Sequence, residues 1–207
     1  MPPVVIVVAN QKGGSSKTTI CAHLAVAAAK AGLRVCIADT DPQSSLAEWW
    51  GARKASDVSA LKADALRDFT AAVRGLDGSC DVLIVDTPPG TGNGVKALVA
   101  AADFVLIPCR ASPHDLRAVR GTLALLQGKP FGFVLTQAVP NSAIVVQAMA
   151  ALSAHGEVSS AVIGSRVGYA SAMTDGRTAP EIDPKGKAAS ETAALWKWVA
   201  AKAGAGK

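Results

Sequence analysis

The chain has 207 residues, half of them apolar and few aromatic, and carries a formal net charge of +5. That length suits one domain with a sizeable core, and the mild excess of positive charge permits contact with nucleic acid without demanding it. The four cysteines, Cys21, Cys36, Cys80 and Cys109, show neither C-x-x-C nor metal-ligand spacing, and no apolar run reaches the length of a signal-peptide core or a membrane span. These features argue against a disulfide scaffold, a cysteine metal site and an integral membrane protein, and they point to buried thiols in a reducing cytoplasm.

The apolar run 4–9 predicts a buried parallel strand. It leads into Asn10-Gln-Lys-Gly-Gly-Ser-Ser-Lys-Thr-Thr19 and then an alanine-rich helix over 18–31, ended by Gly32. Strand, glycine turn and helix in that order predict a phosphate-binding loop, in which backbone N–H groups and the helix dipole favour an anion. Gly13, Gly14, Ser15, Ser16, Lys17, Thr18 and Thr19 form the candidate nucleotide-binding run. Lys17 is placed to reach the terminal phosphates, and the Thr18 hydroxyl to ligate Mg²⁺. The strict motif G-x-x-x-x-G-K-[ST] fails here, because its two glycine positions hold Gln11 and Ser16. A Cβ at position 16 would crowd the ligand or restrict the loop. Lys12, ahead of the glycines, is an additional cation.

A second strand is expected over 34–39, closing on Asp39-Thr40-Asp41-Pro42-Gln43, with a helix beginning over 44–50. A polar-faced helical stretch follows over 61–76, closed by Gly78. The third strand, 82–86, ends in Asp86-Thr87-Pro88-Pro89-Gly90. An apolar strand closing on Asp is the Walker B arrangement, so Asp86 is the expected Mg²⁺ carboxylate beside Thr18. Mg²⁺ keeps several waters, so one or two carboxylates suffice. Asp39 and Asp41 lie two apart and point the same way on an extended chain. Asp39 is assigned to the metal side and Asp41 to the attacking water. The alternative is that Asp41 merely caps a helix-starting turn. Gly90, Gly92 and Gly94 suit a flexible switch that senses the γ-phosphate.

Further along, a strand is expected over 104–108, a helix over 113–127 with Ser112 as cap, a strand over 131–136, a helix over 142–155 and a short strand over 160–163. After Gly164 come a short helical piece, a loop over 175–187, and a last helix over 188–203, with the terminal residues from 201 fraying. Strands separated by helices predict a single-domain α/β P-loop fold: a mainly parallel twisted sheet with helices on both faces and ligands at the carboxyl ends of the strands.

The stretches Lys12-Gly13-Gly14-x-x-Lys17-Thr18-Thr19, Asp39-x-Asp41-Pro42-Gln43 and Asp86-Thr87-Pro88-Pro89-Gly90, with Ser112-Pro113-x-Asp115-Leu116 and Arg166-x-x-Tyr169, resemble the ParA/MinD family of deviant Walker ATPases. The nearest likeness is to small ParA proteins of plasmid partition that start directly at the phosphate loop and lack a helix-turn-helix domain. The resemblance implies ATP and Mg²⁺ as ligands, and an ATP-bound sandwich homodimer in which Lys12 reaches the partner's phosphates like an arginine finger. It implies non-specific DNA binding by the dimer, nucleoid association in that state, and release when a ParB-like or other cargo-adaptor protein stimulates slow hydrolysis. It places Thr136 and Gln137, and the 112–115 segment, near the adenine. Arg166, Arg177, Lys185, Lys187 and Lys197, with Lys202 and Lys207, are the candidate DNA cations. Two rival readings remain: a MinD-like ATPase that cycles on membrane through its last helix, and a weakly hydrolysing nucleotide switch in which Ser16 acts as a brake.

Overall fold

The computed structural model describes residues 1–62, 67–139 and 142–206. Six strands form one parallel sheet: β1 (Val4–Val8), β2 (Val35–Asp39), β3 (Val58–Ala60), β4 (Val82–Asp86), β5 (Phe104–Arg110) and β6 (Phe131–Thr136), in the order β3-β2-β4-β1-β5-β6. Their near-continuous valine, isoleucine and leucine content follows from burial on both faces. One face carries Ile6, Val8, Ile37, Ile84 and Leu106 and packs against α1 (Lys17–Lys30), α2 (Ser45–Ala52) and α9 (Lys187–Ala203). The other carries Val7, Val85, Ile107 and Leu135 and packs against α4 (Asn93–Ala101), α5 (Pro113–Leu123) and α6 (Ala143–Ser153). This is the expected doubly covered α/β sheet. The register sets Val8 beside Asp86 and Asp86 beside Asp39, which brings the loops after β1, β2 and β4 to one edge.

The structure departs from the sequence expectations at several places. The short strand β3 appears on the sheet edge, and α4 forms where the glycines at 90, 92 and 94 predicted only a switch loop. Gly92 serves as the extended cap of α4, and its Val95, Leu98 and Val99 are buried against the sheet. The helical stretch over 61–76 is helical as α3 over Phe69–Gly75, with residues 63–66 lying outside the described residues. No strand forms over 160–163. That segment meets β6 at an isolated bridge at Val158 and through the Ile163 N–H, which donates to the Leu135 carbonyl at 2.9 Å, while the Ala161 N–H between them is taken by Ser159 Oγ. Strand β5 runs two residues past Pro108. β1 pairs with β5 only as far as Leu106, so proline's missing N–H breaks no bond on that side.

The C-terminal third is locked to the front half. Gly176, at φ 76°, lies so close to the end of α2 that a Cβ there would stand 2.3 Å from the Arg53 nitrogen. The Arg53 guanidinium donates to the Gly176 carbonyl at 2.7 Å and to Glu181 at 2.8 Å, joining α2 to α8 (Ala179–Ile182). α9 buries Leu195, Trp196 and Val199, and Trp198 packs edge-on to Phe104. The apolar stripe of this helix is therefore occupied by its own domain, and no helix among the described residues is long and apolar enough to cross a membrane. The tail expected to fray from 201 instead continues α9 to Ala203, turns at Gly204 and buries Ala205, whose N–H donates to the Ala200 carbonyl at 2.9 Å. Lys207 lies outside the described residues.

His23, buried on α1, ties that helix to α8. Its Nδ1 lies 2.8 Å from the Thr19 carbonyl, and its Nε2 accepts the Ala179 N–H at 2.9 Å. This pair fixes a neutral ring protonated on Nδ1. Burial pushes the imidazole pKa from 6.5 down to about 4. Below pH 6.5 the unfolded chain takes up a proton that the folded chain refuses, so His23 costs stability progressively as pH falls from 6.5 toward 4. At pH 5 the loss is about 2 kcal/mol. Urea unfolding at pH 7 and pH 5 is expected to show His23→Gln lacking this part of the acid destabilisation, since the other titrating groups are common to both chains. Equal pH dependence of the two would remove His23 as the cause.

Candidate nucleotide site

Between β1 and α1 the chain runs Asn10 to Ser16, and its shape is held by neighbours on three sides. Buried Asn10 donates through Nδ2 to the Pro108 carbonyl at 2.7 Å, and its Oδ1 accepts the Lys12 N–H at 2.9 Å. The Gln11 N–H donates to the buried Thr122 hydroxyl on α5, and the Gln11 carbonyl accepts the Gly90 N–H at 2.8 Å. Thr136 and Gln137 donate to the Ser15 and Gly14 carbonyls at 3.2 and 3.0 Å. A trans peptide sets its N–H opposite its C=O. Gripping the carbonyls of Gly14 and Ser15 from β6 therefore turns the N–H groups of Ser15 and Ser16 the other way. From Gly13 to Thr19 no backbone N–H has a hydrogen-bond acceptor among the described residues. A run of unspent N–H groups at a helix start is what an anion needs.

Ser16 takes φ 70° and ψ 24°, the left-handed conformation normally left to glycine. The loop thus keeps the backbone path that glycine would give it, at a cost of about 1 kcal/mol. The Ser16 hydroxyl accepts a hydrogen bond from Gln137 Nε2 at 2.8 Å.

Lys17 opens α1 with only 7% exposure, and its Nζ lies 3.5 Å from the Lys12 carbonyl. Burial lowers its pKa, opposed by the charges of Asp86 and Asp41. The Thr18 hydroxyl donates to Asp86 Oδ2 at 2.6 Å. Asp86 is 1% exposed, and its other oxygen, Oδ1, has no hydrogen-bond partner among the described residues. Burial, with Asp39 and Asp41 acting in the same direction, pushes the Asp86 carboxyl up to about 7, against the Thr18 hydrogen bond and the Lys17 charge. An orphaned, buried carboxylate oxygen beside a threonine hydroxyl fits a hard divalent cation. No cluster of three or more His, Cys, Asp or Glu side chains suits a metal among the described residues, so such a cation would draw the rest of its shell from phosphate and water.

The two carboxylates after β2 are used differently. Asp39 accepts the Asp41 N–H at 3.0 Å through Oδ1 and the Ala47 N–H at 2.9 Å through Oδ2. One oxygen thus braces the loop at Asp41 and the other the first turn of α2. These bonds shape the loop that presents Asp41, and Asp39 lines the same cavity as Asp41. Asp41 accepts the Gln43 N–H through Oδ1 at 3.0 Å, and its carbonyl accepts the Ser44 N–H. The turn reading is therefore real, but it occupies one oxygen and leaves Oδ2 without a hydrogen-bond partner among the described residues. Ser44, not Asp41, is the residue that precedes α2. A cavity of about 790 Å³ opens beside Asp41, lined also by Thr40, Asp68, Pro88 and Leu98.

Lys12 is half-buried and turned onto α5, with its Nζ 3.1 Å from Asp115 Oδ2. Asp115 is 1% exposed and also receives Ser112 and Arg110. Burial works against ionisation of Asp115, but the Ser112 and Lys12 hydrogen bonds and the Arg110 charge hold it below the usual carboxylate range. The 112–115 segment, expected near the adenine, holds Lys12 and lines a hollow with it and Gln137. Thr136 is fully buried, with its hydroxyl directed at the Ser15 and Cys109 carbonyls, so it braces the loop instead of offering itself to a base. Asn10 and Thr122 escaped sequence reading, because nothing local marks a side chain that acts across more than ninety residues.

Arg166 and Lys187 line the same hollow, whereas Arg177 lines another with Arg53 and Lys54. Arg166 is engaged by Glu191, Arg177 by Asp175 and Lys202 by Glu157, while Lys185, Lys187 and Lys197 are exposed.

Residues 6–179 match the family model described as the CobQ/CobB/MinD/ParA nucleotide binding domain. The chain is 29% identical over 201 residues to the maintenance of carboxysome distribution protein A of Halothiobacillus neapolitanus, covering 90% of this chain and 91% of that one. It is 28% identical over 219 residues to the chromosome-partitioning ATPase Soj of Thermus thermophilus, covering 86% and 88%. Its fold superposes on an ATP complex of a McdA variant from Cyanothece with a TM-score of 0.80, at 19% identity, over 98% of this chain and 96% of that one.

Proposed function

We propose that this chain, which belongs to the CobQ/CobB/MinD/ParA nucleotide-binding family, is an ATPase that positions a cargo over DNA. The observation that carries this reading is the run of unspent N–H groups from Gly13 to Thr19, set beside Lys17 and the Thr18–Asp86 pair. The loop N–H groups and Lys17 hold the phosphates. Thr18 and Asp86 hold Mg²⁺, whose chemistry there is to neutralise charge on the terminal phosphates. Asp41, with one carboxylate oxygen free of hydrogen bonds among the described residues, orients the attacking water. Lys12 leaves Asp115 and crosses to the phosphates of a second copy, where it stabilises charge that develops in the transition state. Hydrolysis separates the two copies.

Relatives named for carboxysome distribution and for chromosome partition support a positioning role over a metabolic one. Plasmid partition is one cargo that fits. DNA is held without sequence preference by exposed lysines, Lys185, Lys187 and Lys197 foremost, with Arg166 and Arg177 joining if they leave their carboxylate partners. A ParB-like or other adaptor stimulates turnover. Docking of α9 on its own domain disfavours the membrane-cycling alternative.

Co-sedimentation with non-specific duplex DNA is the test, run with ATP, with ADP and without nucleotide at two salt concentrations. Binding is expected only with ATP. If about five phosphates are contacted, affinity falls by roughly 10²- to 10³-fold between 50 and 200 mM salt. Absence of binding in every state would overturn the DNA reading and leave a nucleotide switch.

A further inference from the structure

Gln137 was expected near the adenine, and its side chain reaches the phosphate loop. Its amide nitrogen spends both hydrogens on the phosphate loop, donating to the Gly14 carbonyl at 3.0 Å and the Ser16 hydroxyl at 2.8 Å. Both ends of the second bond stand in the left-handed region, Ser16 at φ 70° and Gln137 at φ 50°. Neither residue type favours that conformation, so each requires something that holds it. Gln137 is held from both sides. Thr136 before it is buried and bonded to the Ser15 carbonyl. Ala138 after it donates to the Ile163 carbonyl at 3.2 Å and accepts the Ser165 N–H at 2.9 Å. The glutamine thus reaches the loop from a fixed base.

We infer that Gln137 is a positioning residue that clamps the serine-substituted phosphate loop in its phosphate-receiving shape, and that it is needed because residue 16 is serine. A glycine at φ 70° would hold the same backbone unaided and would offer no hydroxyl to grip. The clamp acts through two peptide units. Fixing the Gly14 carbonyl orients the Ser15 N–H, and fixing Ser16 orients the amide that Lys17 follows. Gln137 and Ser16 are therefore a coupled pair, and loss of the glutamine should be felt in one background and not in the other. The inference rests on the reading that this loop receives the phosphates of ATP.

The experiment is a double-mutant cycle on MgATP affinity, with four proteins: the parent, Gln137→Ala, Ser16→Gly and the double variant. Gln137→Ala is expected to weaken binding about five- to tenfold in the serine chain and less than twofold in the glycine chain. Equal loss in both backgrounds would overturn the clamp and return Gln137 to direct contact with the nucleotide. No loss in either would overturn it as well. Amide hydrogen exchange of Ser15, Ser16 and Lys17 without nucleotide reads the same coupling independently of ATP. Gln137→Ala should hasten exchange there in the serine chain alone, and equal or absent acceleration would count against the clamp. Failure of the parent to bind MgATP would refute the function proposed above, and the exchange comparison would still decide the clamp.

Discussion

Lys17→Ala is expected to weaken ATP binding by at least about thirtyfold, with little change in the stability of the nucleotide-free protein. The first half follows from charge. Truncating one partner of a desolvated, hydrogen-bonded ion pair costs about 2–5 kcal/mol, and the triphosphate would lose its most buried cation. The second half follows from the free state of the site. There the ammonium is nearly enclosed, its Nζ is 3.5 Å from the Lys12 carbonyl, and burial already lowers its pKa. Removing it relieves a desolvation cost while forfeiting its attraction to Asp86 and Asp41, so the two changes offset. Fluorescent-nucleotide titration and thermal melting, run side by side, check both halves. Retained tight binding would refute the loop assignment, and a collapse of the fold would show Lys17 to be a structural residue.

Lys12→Ala is expected to leave ATP binding by the single chain within a few-fold of the parent while lowering the hydrolysis rate by roughly 10³-fold. In the single chain Lys12 is engaged by Asp115 on α5, 3.1 Å away. Its contribution to the site in its own chain is its backbone: the carbonyl that Lys17 touches and the N–H that Asn10 holds. Alanine preserves both. What alanine removes is a half-exposed cation that is held by one carboxylate and free to be drawn out by a stronger anion. A triphosphate presented by a second copy is such an anion. Steady-state hydrolysis and sedimentation at matched ATP occupancy separate the effects: turnover and dimer should fall together while occupancy persists. If affinity and turnover drop by the same factor, Lys12 is an ordinary phosphate lysine of its own chain.

Much of this was legible in the linear chain. Valine-rich runs closing on Ala9, Asp39 and Asp86 announce buried parallel strands, and the strand–glycine–helix order announces an anion site, because both depend on neighbours in sequence. Helix α4 was hidden by its glycines, which read locally as flexible. It forms because Val95, Leu98 and Val99 find the sheet. A strand at 160–163 looked equally good in sequence, but its Ala161 N–H is taken by a serine hydroxyl.

Sequence alone determined the fold class and the place of the strand–glycine–helix turn on which the proposed phosphate site rests, since motif spacing along that unit dictates where Lys17, Thr18 and Asp86 emerge. Only the tertiary structure decided how the remaining groups are spent. It set Asp39 to bracing the loop at Asp41 and the first turn of α2, turned Lys12 onto Asp115, and set Thr136 and Gln137 to gripping the loop. The reason is that a hydrogen bond is short and directional. Whether a carboxylate, an amide or an ammonium is free for chemistry depends on which donor or acceptor lies within about 3 Å of it, and in this protein that partner is often more than a hundred residues away along the chain.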